Sequence, residues 1–103
     1  MREAAGYAQQ MVASRTRADL DTDVMLSMAL GRCLEILGEA ASKLTPETRQ
    51  RYPAIPVAQI VSMRNRLIHA YFDVDLDVVW TTVVQDLPPL LATLDAALAK
   101  CAE

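Results

Sequence analysis

Residues 64 to 71 read Arg-Asn-Arg-Leu-Ile-His-Ala-Tyr, and they hold the chain's only histidine, five positions after Arg64 and two before Tyr71. The octapeptide gathers a proton-transfer group, a fixed cation and a phenol in a chain that offers little else reactive. An imidazole near neutral pKa takes a proton from a ribose 2′-hydroxyl or gives one to a leaving oxygen, and an arginine holds the charge that builds on phosphorus. Those are the two needs of RNA cleavage without a metal. One histidine supplies base or acid at any moment, so an isologous homodimer that sets the motif helix beside its own copy would bring two His69 and two Arg64 into one cleft. In an ideal helix Asn65 and His69 share a face one turn apart, whereas Arg64 and His69 differ by about 140° around the axis. The same spacing also fits pure scaffold: His69 meeting helix-end carbonyls, Tyr71 and Phe72 plugging the core, Arg64 paired with a carboxylate. Spacing alone leaves both readings open.

The elements that must position these residues follow from composition and periodicity. A chain of 103 residues has room for one domain, here residues 1–103, with one core. Its 52% hydrophobic content comes with only 5% aromatics, and volume drawn from Leu, Ala, Val and Met is that of packed helices more than of sheets. The net charge of −3 excludes a surface that binds nucleic acid everywhere, so any RNA contact is local. Eight of the ten basic residues are Arg, and Arg64 and Arg66 flank Asn65; the planar guanidinium suits phosphate better than a lysine does. Cys33 and Cys101 have no second Cys or His at metal-ligand spacing, so reduced thiols, a cytoplasmic setting and no metal or cofactor are expected. No leader pattern and no membrane-length apolar run is present in the sequence.

A first helix is expected from Glu3 to Ala13, polar and modestly buried, followed by a loop from Ser14 to Leu20 with Asp21 and Thr22 as caps for the next helix. Leu26, Leu30, Cys33, Leu34, Leu37, Ala41 and Leu44 recur at three- and four-residue steps and define the core stripe of a long second helix. Gly31 and Gly38 stand two turns apart and would admit a neighbouring helix closely. Thr45-Pro46-Glu47 is a helix start, with a capping hydroxyl, proline in the first turn and an acid at the positive end of the dipole. Pro53 and Pro56 bracket a loop, and from Val57 the positions Ile60, Val61, Met63, Leu67 and Ile68 carry a helix whose C-terminal end holds the motif. Asp75 or Asp77 caps a last helix, striped by Val79, Val83, Leu87, Leu90, Leu94 and Leu98 and expected to kink or break at Pro88-Pro89. An antiparallel bundle of four to five helices buries these stripes most economically.

Arg64, His69 and Tyr71 form an Arg-x4-His-x-Tyr motif with Asn65 as the polar residue after the arginine, and at this point the chain resembles the HEPN superfamily of helical domains, within it the HepT toxins of toxin–antitoxin pairs. The likeness extends to Ile36-Leu37-Gly38-Glu39-Ala40-Ala41, similar to the second-helix signature, to Tyr52-Pro53-Ala54-Ile55-Pro56 and to Val74-Asp75-Leu76-Asp77-Val78-Val79-Trp80. Two departures stand out: Val57 replaces the aromatic usual after the Ile-Pro step, and the first helix begins abruptly. The resemblance implies an all-α HEPN-like fold and a metal-independent endoribonuclease toxin with Arg64 and His69 catalytic at a homodimer cleft. It also implies a nucleotidyltransferase antitoxin of the MntA kind that transfers AMP onto Tyr71, placing bulk and negative charge beside the imidazole and arginine. Glu39 would orient the guanidinium of Arg64, a role for which Glu35 one turn earlier fits the spacing equally well. Asp73, Asp75 and Asp77 receive no catalytic role. The rival reading is a non-catalytic HEPN module that binds nucleotide or substrate for a partner nucleotidyltransferase, and a third is a plain dimerisation domain.

Overall fold

A computed structural model describes the main chain of residues 1–69 and 76–102 and the side chains of residues 1–67 and 76–99. Within it the helical expectation holds, with no strand among the described residues. The helices are α1 (Arg2–Val12), α2 (Asp19–Thr22), α3 (Val24–Ser42), α4 (Pro46–Arg51), α5 (Val57–His69), α6 (Leu76–Thr81) and α7 (Leu87–Ala102). Four long units, α1, α3, α5 and the α6–α7 rod, make the bundle, and α3 packs on both α1 and α5. No helix among the described residues is long and apolar enough to cross a membrane.

The core is the one the periodicity demands. Leu26, Leu30, Cys33, Leu34, Leu37 and Ala41 of α3 are buried against Val57, Ile60 and Met63 of α5 and against Val79, Val83, Leu87, Leu90 and Leu94 of the last rod. Leu98, by contrast, is exposed. Burial pushes the Cys33 thiol above its ordinary pKa, so it stays protonated and packs as a small apolar group.

Three local expectations are corrected. Helix α1 is not marginal: Ala4, Ala5 and Ala8 are buried, because their small side chains let it lie close on α3. The segment before α3 holds the short helix α2, and the cap of α3 is neither Asp21 nor Thr22 but Asp23, whose carboxylate accepts from the Leu26 amide at 3.0 Å. The start of α4 is as read, with Thr45 Oγ1 accepting from the Thr48 amide at 3.1 Å and Pro46 in the first turn. Asp77 lies inside α6 instead of capping it, and Asp75 lies outside the described residues.

Pro88-Pro89 neither breaks the last helix nor stops it. The chain passes through a π-helical turn, Thr82–Asp86, and the Leu87 amide reaches back to the Thr82 carbonyl. Two successive prolines lack the N–H groups that would bond carbonyls of the preceding turn, and their rings crowd that turn; the wider π turn stands where those carbonyls lie. The Val83 carbonyl is recovered from outside the rod, by the Gln9 side-chain amide of α1.

Of the two glycines on α3, only Gly38 is a contact point. A Cβ at Gly38 would lie 2.1 Å from Arg64 Cβ, 2.4 Å from Cγ and 3.5 Å from Cα, whereas one at Gly31 would meet nothing within 4 Å. The obstructing atoms at Gly38 include a Cβ fixed to the α5 backbone, so the clash is relieved only by moving the helices apart. Gly38→Ala is therefore expected to lose about 1–3 kcal/mol or more by overpacking, roughly 4–8 °C in Tm per kcal/mol for a domain of this size. Gly31→Ala should be neutral or stabilising by up to about 1 kcal/mol through helix propensity. Thermal unfolding of both variants checks the contrast, and a Gly38→Ala protein that melts with the parent would contradict the close approach.

Candidate functional site

Helix α5 carries the motif on its last two turns, with Arg64 near the middle of the helix and His69 its final residue. Pro56 precedes the first turn, and its carbonyl accepts from the Ile60 amide at 3.1 Å, so the helix starts cleanly after the Ile55-Pro56 step. Buried Val57, Ile60 and Met63 pin one face to the core. That orientation decides where each motif residue goes.

Arg64 falls on the flank against α3. Its stem crosses Gly38, its side chain is 19% exposed, and Nη1 reaches Glu39 Oε2 at 3.5 Å. The absence of a Cβ at position 38 is thus what lets the guanidinium lie along α3 beside the carboxylate. Nε is buried without a hydrogen-bond partner among the described residues, so the group is held by packing while keeping donor capacity. Glu39 is 53% exposed and also meets Lys43 Nζ at 3.6 Å. Between the two carboxylates that spacing admitted, the structure pairs Glu39 with Arg64, and Glu35 with Arg32 at 3.3 Å. A shallow hollow of about 420 Å³ lies over the pair, with Ile36 and Glu35 on its rim.

Asn65 and Arg66 turn the other way. Both are exposed and border an open groove that also takes in Ser42 at the end of α3 and Arg49. The main chain continues helically to His69, so Asn65 and His69 stand one turn apart in the backbone. The His69 side chain lies outside the described residues, as do Tyr71, Phe72, Asp73 and Asp75. Beyond that gap Asp77 is engaged structurally: Arg17 Nε donates to it at 2.6 Å and Arg17 Nη1 donates to Asp21 at 3.1 Å, which fastens α2 to the start of α6. Those carboxylates hold the Arg17 guanidinium above its ordinary pKa, the Asp77 hydrogen bond most of all. No cluster of three or more His, Cys, Asp or Glu that could hold a metal occurs among the described residues.

By charge and spacing Arg64 and Arg66 are a pair flanking Asn65, and only the motif resemblance singles out Arg64. The signal that separates them is the core stripe Ile60, Met63 and Leu67, from which helical geometry puts Arg64 and Arg66 on opposite flanks.

Fold and motif together define a class: small all-α bundles that present an arginine-led Arg-x4-His-x-Tyr sequence at the end of a core helix. The family model described as Ribonuclease HepT-like matches residues 1–97, and the chain belongs to that family. It is similar to the protein named "Probable ribonuclease HepT" of Thermococcus cleftensis, 42% identical over 72 residues, which are 70% of this chain and 66% of that protein. It is similar too to a "Putative RNase" of Caldanaerobacter subterraneus, 37% identical over 82 residues covering 80% of this chain and 73% of that one. A "Putative RNase" of Methanocaldococcus jannaschii is 42% identical over 65 residues, 63% of this chain and 54% of the relative. The match therefore spans little more than half of that relative's length. No solved structure matches the chain with significance.

Because the Glu39 carboxylate is more than half exposed, its charge is well screened, and Glu39→Gln is expected to change stability by less than about 1 kcal/mol. Denaturant titration of the variant checks this. A loss of several kcal/mol would mean that the pair behaves as a buried one, with Arg64 left uncompensated.

Proposed function

We propose that this chain is a metal-independent endoribonuclease toxin, acting in the cytoplasm as a homodimer and neutralised by a nucleotidyltransferase antitoxin. The observation that carries the reading is the match to the ribonuclease HepT-like family across the motif helix, with Arg64, His69 and Tyr71 all intact. The names of the relatives from Thermococcus and Caldanaerobacter support the same activity.

In this reading His69 takes the proton from a ribose 2′-hydroxyl, and the 2′-oxygen attacks the adjacent phosphorus. The bond from phosphorus to the 5′-oxygen breaks, and that oxygen takes a proton from the second copy's His69, leaving a cyclic phosphate and a free 5′-hydroxyl. Arg64, packed on α3 with an under-used guanidinium, stabilises the charge on the phosphoryl oxygens. Glu39 orients the guanidinium, and Asn65 offers an amide one turn before His69. A two-fold assembly is supported by the outer face of α3, where Val24, Met25, Met28 and Ile36 are exposed, Met25 by 82%. Met25, Met28 and Ile36 share one face by helical spacing, with the exposed Arg32 between Met28 and Ile36, and that face leads toward Glu39 and Arg64. Transfer of AMP onto Tyr71 would set a phosphodiester charge next to the imidazole and block an anionic substrate.

Two outcomes follow from the chemistry. His69→Ala should reduce cleavage of single-stranded RNA by about 10²–10⁴-fold, the usual worth of a proton carrier, while circular dichroism and sedimentation remain those of the parent. An equally active variant, or a parent that cleaves fully as a monomer, would refute the assignment. Tyr71→Phe should keep the toxicity but escape neutralisation by the antitoxin and ATP, read as the absence of an AMP mass increment. Protection that persists with the increment on another residue would remove Tyr71 as the switch.

A further inference from the structure

We infer that the groove along α5 lined by Arg66, Arg49, Ser62 and Asn65 is a binding track for the phosphodiester backbone of single-stranded RNA. This inference rests on the RNA reading above and deepens it by naming a second arginine that holds substrate.

Register is the first ground. With about 100° per residue, position 69 of the helix falls about 40° from position 65, about 60° from position 66 and about 140° from position 64. Within one chain Arg66 and Asn65, not Arg64, share the flank of the helix on which His69 is placed. Arg64 is in addition drawn to the opposite flank by Gly38 and Glu39. By backbone register, a phosphate over the side of the helix at position 69 therefore meets Arg66 of the same chain before Arg64.

Charge is the second. The groove, about 570 Å³, contains two arginines and no carboxylate, in a chain with 13 acidic and 10 basic residues. Its counterpart over Arg64 sets Arg32, Lys43 and Arg64 against the carboxylates of Glu35 and Glu39. Arg66 is exposed and makes no ion pair or hydrogen bond among the described residues. Arg49 is pre-positioned: Nε donates to the Leu44 carbonyl at 3.1 Å and Nη2 to the Ser42 carbonyl at 3.4 Å, which fixes the guanidinium beneath the C-terminus of α3. One arginine is thus rigid and the other free to adapt, and hydroxyl and amide donors lie between them. That set contacts backbone oxygens without reading bases.

The test uses the full chain and a fluorescent, non-cleavable 2′-O-methyl RNA oligonucleotide, with affinity followed by anisotropy across a salt series. Arg66→Gln should weaken binding several-fold and lower the slope of log affinity against log salt by about 0.7, the value for one phosphate contact on a single strand. Ala58→Glu, a substitution at an exposed groove position compatible with the helix, should weaken binding by adding an acid to the track. Arg2→Gln, which changes net charge equally on the α1–α7 side where Arg2 pairs with Asp95, should leave the slope unchanged. Binding by Arg66→Gln indistinguishable from the parent, or an equal loss in Arg2→Gln, overturns the track. Cleavage of the unmodified RNA by the parent separates the two claims. A parent that binds through Arg66 but never cleaves refutes the nuclease reading and keeps the track. A parent that cleaves, with KM unchanged in Arg66→Gln, keeps the nuclease and refutes the track. A parent that neither binds nor cleaves refutes both.

Discussion

The close contact of α3 with α5 at Gly38 is the constraint from which the rest of the site follows. Arg64 Cβ and Cγ occupy the space where any other residue at position 38 would carry its own Cβ. This brings the two backbones together and lays the arginine stem along α3, with its head at Glu39. Once Arg64 is held there, the rotation of α5 is set, because Ile60 and Met63 must face the core on the adjoining side. Asn65 and Arg66 are then outward by necessity. The ion pair adds little free energy of its own, since Glu39 is more than half exposed; the cation it meets is one that packing has already captured.

The α6–α7 rod shows the same dependence on a distant partner. A Pro-Pro step in the middle of a helix removes main-chain donors, and a helix left to itself would end there. Here one π turn absorbs the misfit and the Gln9 amide, 74 residues away in sequence, takes over the Val83 carbonyl. Buried Val79, Val83 and Leu87 before the prolines and Leu90 and Leu94 after them all join the core, so the hydrophobic stripe survives the register change. Continuity of burial outweighs the local preference for a break.

What was legible in the sequence is what local chemistry decides. The core stripe from Leu26 to Ala41 needed only helical period, and the start of α4 needed only a hydroxyl before a proline. Choices among chemically equal candidates were not legible, because tertiary neighbours made them. Gly31 and Gly38 are the same residue on the same helix, yet only one has a helix across from it. Glu35 and Glu39 are one turn apart, and the position of Arg64 selects between them. Asp23 took the cap expected of Asp21 or Thr22 because α2 extends through those two residues and leaves Asp23 with extended backbone geometry. The burial of α1 was hidden in its alanines, which add little hydrophobicity but allow a short interhelical distance.

A linear motif suggests neighbours in space, and on a helix it spreads residues around a cylinder. Arg64, Asn65 and Arg66 are consecutive, yet the first lies against Glu39 while the other two border a groove free of carboxylates. Any chemistry that used Arg64 and the motif histidine on one phosphate would have to reach around about 140° of helix, or find the second group on another copy. The exposed Met25, Met28 and Ile36 on the Arg64 side supply the apolar surface that such a copy would cover. The cationic groove of Arg49, Asn65 and Arg66 supplies the path by which a polyanion would enter. The surroundings of α5 therefore differ in composition: carboxylates stand among the cations beside Arg64, whereas the groove of Asn65, Arg66 and Arg49 has none in its lining.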